Sequence, residues 1–280
     1  MTQNKPAQNK GFQFILVVLI FLTITVLLSN FLPTAVDWHG AFRPAALEIL
    51  HGRSPYNAEG FFNPPWTAIM LVPFAILPEN VGRAVLVIVA LAVYSYVAFK
   101  LGANKLTIAF LLLSPPVMHG ILNGNLDWLA VLGFVLPPWL GLFFLMIKPQ
   151  VGLAVIIFLF IKAWREGGFI NMVKTFTPFG VAVVLSVMVF GPWFLTITNE
   201  INLAGNSSLW PLSIPIGLTF LATSIRKNEI RYSMAASPFL SPYVIMHSWI
   251  GVFLALAPLR FETAAAVIGM WIVVAIRFFA

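Results

Sequence analysis

"PPWTAIMLVPFAILP", residues 64–78, decides how this chain is threaded. The stretch is apolar enough to enter a membrane and short enough to lie on one, and every loop after it changes side with the choice. If it lies at the outer surface, Lys5, Lys10, Lys100, Lys105, Lys162, Arg165, Lys174, Arg226, Lys227, Arg231 and Arg277 fall inside. Arg43, Arg53, Arg83, Lys148 and Arg260 then fall outside, a division of 11 against 5. If it crosses, the division reverses to 5 against 11. Cytoplasmic loops carry the excess of lysine and arginine, so the stretch is read as a surface helix.

The rest of the chain supports a membrane setting. Sixty per cent of its 280 residues are hydrophobic and 9% are charged, against about 25% charged in a soluble domain. Apolar runs recur at lengths suited to a bilayer. The first, 12–32, follows Lys5 and Lys10 and exceeds the roughly 7–15 residues of a signal-peptide core. It is therefore expected to stay as an anchor, with a cytoplasmic tail over 1–11. Further segments are expected over 81–99, 105–118, 126–138, 139–147, 150–164, 172–197, 209–224, 241–257 and 261–278. The expected fold is an all-α polytopic membrane protein, one domain over 1–280. It has about ten membrane helices, several of them short, and both termini in the cytoplasm. Two surface helices are expected in the outer loop 33–80. Cysteine is absent, which excludes disulfides, zinc thiolates and a thiol nucleophile. The net charge of +7 is spread between apolar segments and is read as setting topology, not as binding nucleic acid.

This threading gathers polar groups on one face. Both aspartates of the chain, Asp37 and Asp127, fall on the outer side with His39, His51, His119 and Lys148, while His247 falls within a membrane segment. Ionisable groups at or in a membrane are costly to place and are functional candidates. In the outer loop, Phe42, Ala46, Ile49 and Leu50 share one helical face and Arg43, Glu48 and His51 another, as in an interfacial helix. Gly52 is expected to end it. Asn63 is expected to cap the second helix, with Pro64 in its first turn. Trp66, Trp128 and Trp210 are read as an interfacial aromatic belt. Asn206 heads "NSS", formally a glycosylation acceptor.

An aspartate after the first segment, an amphipathic helix, "HGRSPY" (51–56) and "NPP" (63–65) form one group of signals. "GNLD" (124–127), "MIKPQ" (146–150) and "SPYVIMHSW" (241–249) follow. In this order and spacing the chain resembles the GT-C class of membrane glycosyltransferases, and most nearly glycosyltransferase family 87, the polyprenol-phosphate-mannose-dependent mannosyltransferases. The chain is short for that group, and Asn63 stands where an aromatic is common.

The resemblance implies transfer of a sugar from a polyprenyl-phosphate donor to an acceptor hydroxyl of a glycan, lipid or protein. Transfer is expected outside the membrane, with inversion, in the cell (plasma) membrane of a prokaryote. An alcohol is a poor nucleophile, so a carboxylate is needed to take its proton; Asp37 is the candidate base and Asp127 a second acid or sugar contact. Charge develops on the leaving phosphate, and a cation stabilises it. Lys148 is the first choice, with Arg43 and His247 behind it. His39, His119, Asn123, Asn125 and Gln150 are candidate sugar or acceptor contacts. No metal or other cofactor is expected, since no dense ligand cluster stands in the sequence. Each assignment has a plainer rival. Asp37 and Asp127 as helix caps, Lys148 as a snorkelling cation and the histidines as satisfied core residues account for the same positions. Two other classes of function remain open: a transporter or flippase of lipid-linked sugars, and a catalytically inactive scaffold.

Overall fold

The computed structural model describes residues 10–195 and 205–279. Most of the tail expected over 1–11, and the end of the segment expected over 172–197, lie outside the described residues. Among those described there are thirteen α-helices and no strand.

The chain opens with α1 (Lys10–Phe31), apolar on every side and exposed along most of its length. A π-helical turn over Trp38–Phe42, which buries Trp38 and Phe42, leads into α2 (Arg43–Leu50), which buries Ala45 and Ala46. Gly52 ends it as expected, taking a φ of +72° in the left-handed region that glycine enters without penalty. The surface helix expected over 64–78 is α3 (Pro65–Ala75), eleven residues and about 16 Å long, too short for a ~30 Å hydrocarbon core. Asn63 does not cap it. The helix begins after Pro64, and the Asn63 side chain instead donates to the carbonyl of Ile147 at 2.7 Å.

Helix α4 (Glu79–Lys100) packs back along α1. The Trp38 indole, just past the end of α1, donates to the Glu79 carbonyl at the start of α4 at 3.4 Å. The whole 32–78 connection therefore leaves and returns at one end of the α1–α4 pair. Helices α5 (Lys105–Leu112) and α6 (Pro115–Asn123) follow, bent by 54° at their junction. The Arg83 guanidinium, buried near the start of α4, donates to the Leu122 carbonyl at the end of α6 at 3.0 Å. A cation there satisfies a terminal carbonyl and the negative end of the helix dipole.

The segments expected over 126–138 and 139–147 are not full membrane helices. They are α7 (Asp127–Leu132) and α8 (Pro138–Leu145), six and eight residues, or about 9 and 12 Å. The two glycines Gly133 and Gly141 let their backbones touch: a Cβ on Gly133 would stand 2.7 Å from the Gly141 carbonyl. The pair enters the bundle and returns to the end it came from. Next, α9 (Pro149–Phe190) breaks into two arms at Gly167 and Gly168, the latter at φ +61° and ψ −153°. Phe160 and Phe176 have ring centroids 5.5 Å apart; sixteen positions along a straight helix would separate them by about 24 Å. The helix is thus a hairpin, and its arms correspond to the two segments expected over 150–164 and 172–197.

Helices α10 (Ile214–Lys227) and α11 (Ile230–Phe239) form a second hairpin against α9, capped at Asn228 in the left-handed region. The segment expected over 241–257 is an extended stretch, a 3-10 turn over Met246–Trp249 and the short α12 (Ile250–Ala255). The chain ends in α13 (Arg260–Phe279). Four helices (α1, α4, α9 and α13) are long and apolar enough to cross a membrane, and five pass if the bent α5–α6 pair counts as one. The ten expected membrane helices are not ten helices of spanning length, because glycine and proline breaks cut several of them short.

The expectation that both ends lie on one face is also corrected. Pro258 sits 3.6 Å from the position of a Cβ on Gly102, and the Trp271 indole donates to the Leu113 carbonyl at 2.9 Å. Helix α13 therefore starts beside the end of α4 and runs in the same sense as α5. Its last residues lie at the opposite end of the bundle from Lys10. Exchanging Arg260 and Arg277 between faces leaves the division of basic residues at 11 against 5.

Candidate functional site

One end of the bundle encloses a cavity of about 540 Å³, within the ordinary size for a small-molecule site. Five distant parts of the chain line it. The connection after α1 supplies Asp37, Phe42, Phe62 and Asn63. The α6–α7 link supplies Asn125. The start of α9 supplies Met146 to Gln150, including Lys148, and the stretches near 193 and 241–245 supply Trp193, Phe194, Ser241, Tyr243 and Ile245. The lining combines these polar groups with a larger number of apolar and aromatic ones.

Asp37 opens the turn that leads into α2, yet its side chain caps nothing. It accepts a hydrogen bond from Asn125 Nδ2 at 2.5 Å. Lys148 precedes Pro149 at the start of α9, where proline fits the first turn. It is 8% exposed, and no carboxylate among the described residues lies within ion-pair distance of it. A cation that deep, facing a cavity, is costly unless an anion joins it. Gln150 stands two residues on, in the same lining.

The other expected site residues point elsewhere. Arg43 turns to Glu79, 3.8 Å from its carboxylate, and donates to the Leu77 carbonyl at 3.5 Å. His39 Nδ1 lies 2.5 Å from the other oxygen of the same Glu79. Glu79 carries no signal that marks it out in the sequence beyond its place at a helix start, and it draws both basic residues to the rim. Asn123 donates to the carbonyl of His119 in its own helix at 2.8 Å. His119 lies with its ring centroid 5.4 Å from that of His247, behind the cavity wall.

Asp127 and His247 form a separate buried pair, with His247 Nδ1 2.7 Å from Asp127 Oδ2. Asp127 is 0% exposed and His247 2%. Neither carboxylate oxygen has a hydrogen bond of good direction among the described residues, so the adjacent imidazole and, after it, the charge of Lys148 are what offset the carboxylate. His247 is thus not placed to hold a phosphate in the cavity, and Asp127 is not placed to touch a sugar there. Trp128 beside it is buried in the core and not in an interfacial belt.

Tyr243 and Ser241 are lining residues that the sequence reading missed. They stand in the extended 240–245 stretch, which the 206–208 segment holds: Ser207 N–H donates to the Val244 carbonyl at 2.7 Å and Ser208 Oγ to the Ser241 carbonyl at 2.6 Å. The Asn206 side chain accepts from Val244 N–H and donates to the Pro242 carbonyl, which commits the head of the "NSS" triplet to this pairing. Burial, and then the charge of Asp37, push the Tyr243 hydroxyl above its ordinary pKa, so it stays a hydrogen-bond donor at neutral pH. The stretch it stands in, "SPYVIMHSW" (241–249), carried a signal as a whole, but nothing within it marked Tyr243 as a pocket position.

The cavity brings together a carboxylate, an ammonium with no carboxylate at ion-pair distance, and amide and hydroxyl groups in an otherwise largely apolar lining. No family model, curated protein or solved structure matches this chain.

Proposed function

We propose that this chain transfers a sugar from a polyprenyl-phosphate donor to an acceptor hydroxyl. The observation that carries the reading is that Asp37 and Lys148, far apart in sequence, line one cavity whose remaining lining is mostly apolar and aromatic. The resemblance to family 87 points the same way.

In this reading Asp37 accepts the proton of the acceptor hydroxyl as its oxygen attacks the anomeric carbon. The bond from that carbon to the phosphate oxygen breaks on the opposite face, and its electron pair leaves with the phosphate. The sugar is thereby inverted and polyprenyl phosphate released. The Lys148 ammonium stabilises the charge gathering on the leaving group in a water-poor site, where such contacts are strongest. Gln150, Tyr243 and Ser241 are the hydrogen-bonding groups in reach of the sugar. Met146, Ile147, Trp193, Phe194 and Ile245 suit the first isoprene units. Arg43, His247, His39, His119, Asn123 and Asp127 hold no substrate in this reading.

The cavity faces outside in the threading that puts eleven basic residues in the cytoplasm. The 32–78 connection is then external and the α7–α8 pair re-entrant from the outer side. The end of α13 is external too, in an envelope membrane of the prokaryotic kind.

Purified protein in nanodiscs, given radiolabelled polyprenyl-phosphate sugars and an acceptor panel, tests the proposal. A glycosylated product is expected from wild type. Asp37→Asn, which keeps the shape but not the base, should lose at least about 10²-fold in turnover while retaining the donor. Full turnover in Asp37→Asn removes the base from the mechanism. Movement of the donor lipid across the bilayer without product replaces transfer with translocation.

A further inference from the structure

Residues 119–127, "HGILNGNLD", are pressed between two parts of the molecule. Gly120 meets the His247 segment: a Cβ there would stand 3.3 Å from the Cβ of His247. Gly124, at φ +70°, meets the other side, with an added Cβ only 2.7 Å from that of Trp38, the neighbour of Asp37. Asp127 then fixes the segment to His247 through the buried pair.

Asn125 stands between these contacts, 5% exposed. The two ends of its amide have separate tasks. Its Oδ1 accepts the Leu126 backbone N–H at 2.7 Å, which settles which end is the nitrogen. The Nδ2 end is then bound to face the cavity, where it donates to Asp37 Oδ2 at 2.5 Å. A carboxylate on a connecting turn would otherwise rotate about two side-chain torsions. Here one oxygen is tied to an amide that is itself tied to the backbone.

We propose that Asn125 is a positioning residue: it occupies Oδ2 of Asp37 and leaves Oδ1 as the atom that takes the hydroxyl proton. The role rests on the transferase reading for its consequence, but the orienting contact does not. It also replaces the expectation that Asn125 is a sugar contact. A sugar contact contributes to holding the donor. A positioning residue contributes to the rate once the donor is bound, and misplacing a reacting group by about 1 Å costs on the order of 10²-fold.

Two variants and two readouts test this. Asn125→Ala removes the contact, and Asn125→Asp keeps the shape but loses the donor. Both should turn over bound donor about 10–100-fold more slowly, with affinity for polyprenyl-phosphate sugar within about twofold. Asn125→Asp recovering no more than Asn125→Ala shows that the N–H, not the packing, is what matters. The second readout needs no activity: carbodiimide modification of Asp37, followed by mass spectrometry, should rise in both variants as Oδ2 is released. Lost donor affinity with unchanged turnover of bound donor makes Asn125 a sugar contact and overturns the proposal. Unchanged Asp37 modification in a folded variant overturns it as well. Raised modification in a protein whose wild type transfers no sugar upholds the positioning contact and rejects the transferase reading alone. If Asn125→Ala fails to fold, the isosteric Asn125→Asp carries the test.

Discussion

The two aspartates of this chain both meet the short link before α7, Asp37 from across the cavity and Asp127 from its end, and live in opposite surroundings. Asp37 is half-buried at a cavity, bound by one amide and reachable from solvent. Asp127, two residues past that amide, is sealed from water and faces an imidazole. A buried carboxylate whose partner is a single histidine is a structural commitment, because breaking such a pair strands a charge. A carboxylate on a cavity wall costs little to hold and is free to exchange a proton. The difference teaches that a rare acid in an apolar chain marks either role, and that access to solvent separates them.

Removing the buried acid is the harshest way to test this comparison. Asp127→Ala should lose about 3–5 kcal/mol of stability, whereas Asp37→Asn should stay within about 0.5 kcal/mol of wild type. Thermal unfolding in nanodiscs reads both, and equal losses would mean the two acids do the same work. Gly124→Ala comes next: it forces a side chain into a left-handed position against Trp38. A loss of about 1–3 kcal/mol is expected, together with slower transfer, since Trp38 adjoins Asp37. A variant as stable as wild type would show that the link is looser than its contacts imply.

Lys148→Met should leave stability unchanged or slightly higher, because it deletes a buried cation without a carboxylate partner. Binding of polyprenyl phosphate, measured by displacement of a fluorescent analogue, should nevertheless be lost, with Lys148→Arg keeping part of it. Unchanged binding in Lys148→Met would leave the lysine as a rim cation only. The smallest effect belongs to the exposed rim. Hydrogen bonds from Arg53, then from Asn57, bring the Glu48 carboxyl down from its ordinary 4.5 to about 2. A lowered acid contributes stability that is fully present above 4.5 and is lost as pH falls towards 2. Because the pair lies in solvent, Arg53→Ala should remove only a slight, salt-sensitive part of acid stability. A large or salt-independent loss would place this pair with the buried one.

Much of the fold was legible along the chain because apolar length and helix breakers act locally. The runs over 12–32, 81–99 and 261–278 became α1, α4 and α13 within a few residues, and Gly52 stopped α2 where a left-handed residue was needed. Asp37, Asn125, Lys148 and Gln150 were also found from sequence as candidates. The scarcity of charge in so apolar a chain was the signal for Asp37 and Lys148, the resemblance pointed to Asn125 and Gln150, and all four line one cavity. Arg43, His39 and His247 carried the same signal and went elsewhere. A charge reads the same whether its partner is a ligand or Glu79, and that partner lies far along the chain.

What the sequence by itself determined is therefore what neighbouring residues decide together: helices of given length and their stops. Only the tertiary structure decided which helices turn back. The Gly133–Gly141 contact makes a hairpin because two backbones meet there, and the Gly167–Gly168 break makes another because its dihedrals leave the helical range; no local pattern reports which neighbour a returning arm will meet. It also decided that α13 runs beside α5, which moves its end to the opposite face, and that Asp127 is matched with His247. Both depend on side chains more than a hundred positions apart reaching van der Waals or ionic contact. Pairing of that kind is a property of the packed bundle, where burial makes each unmatched polar group costly.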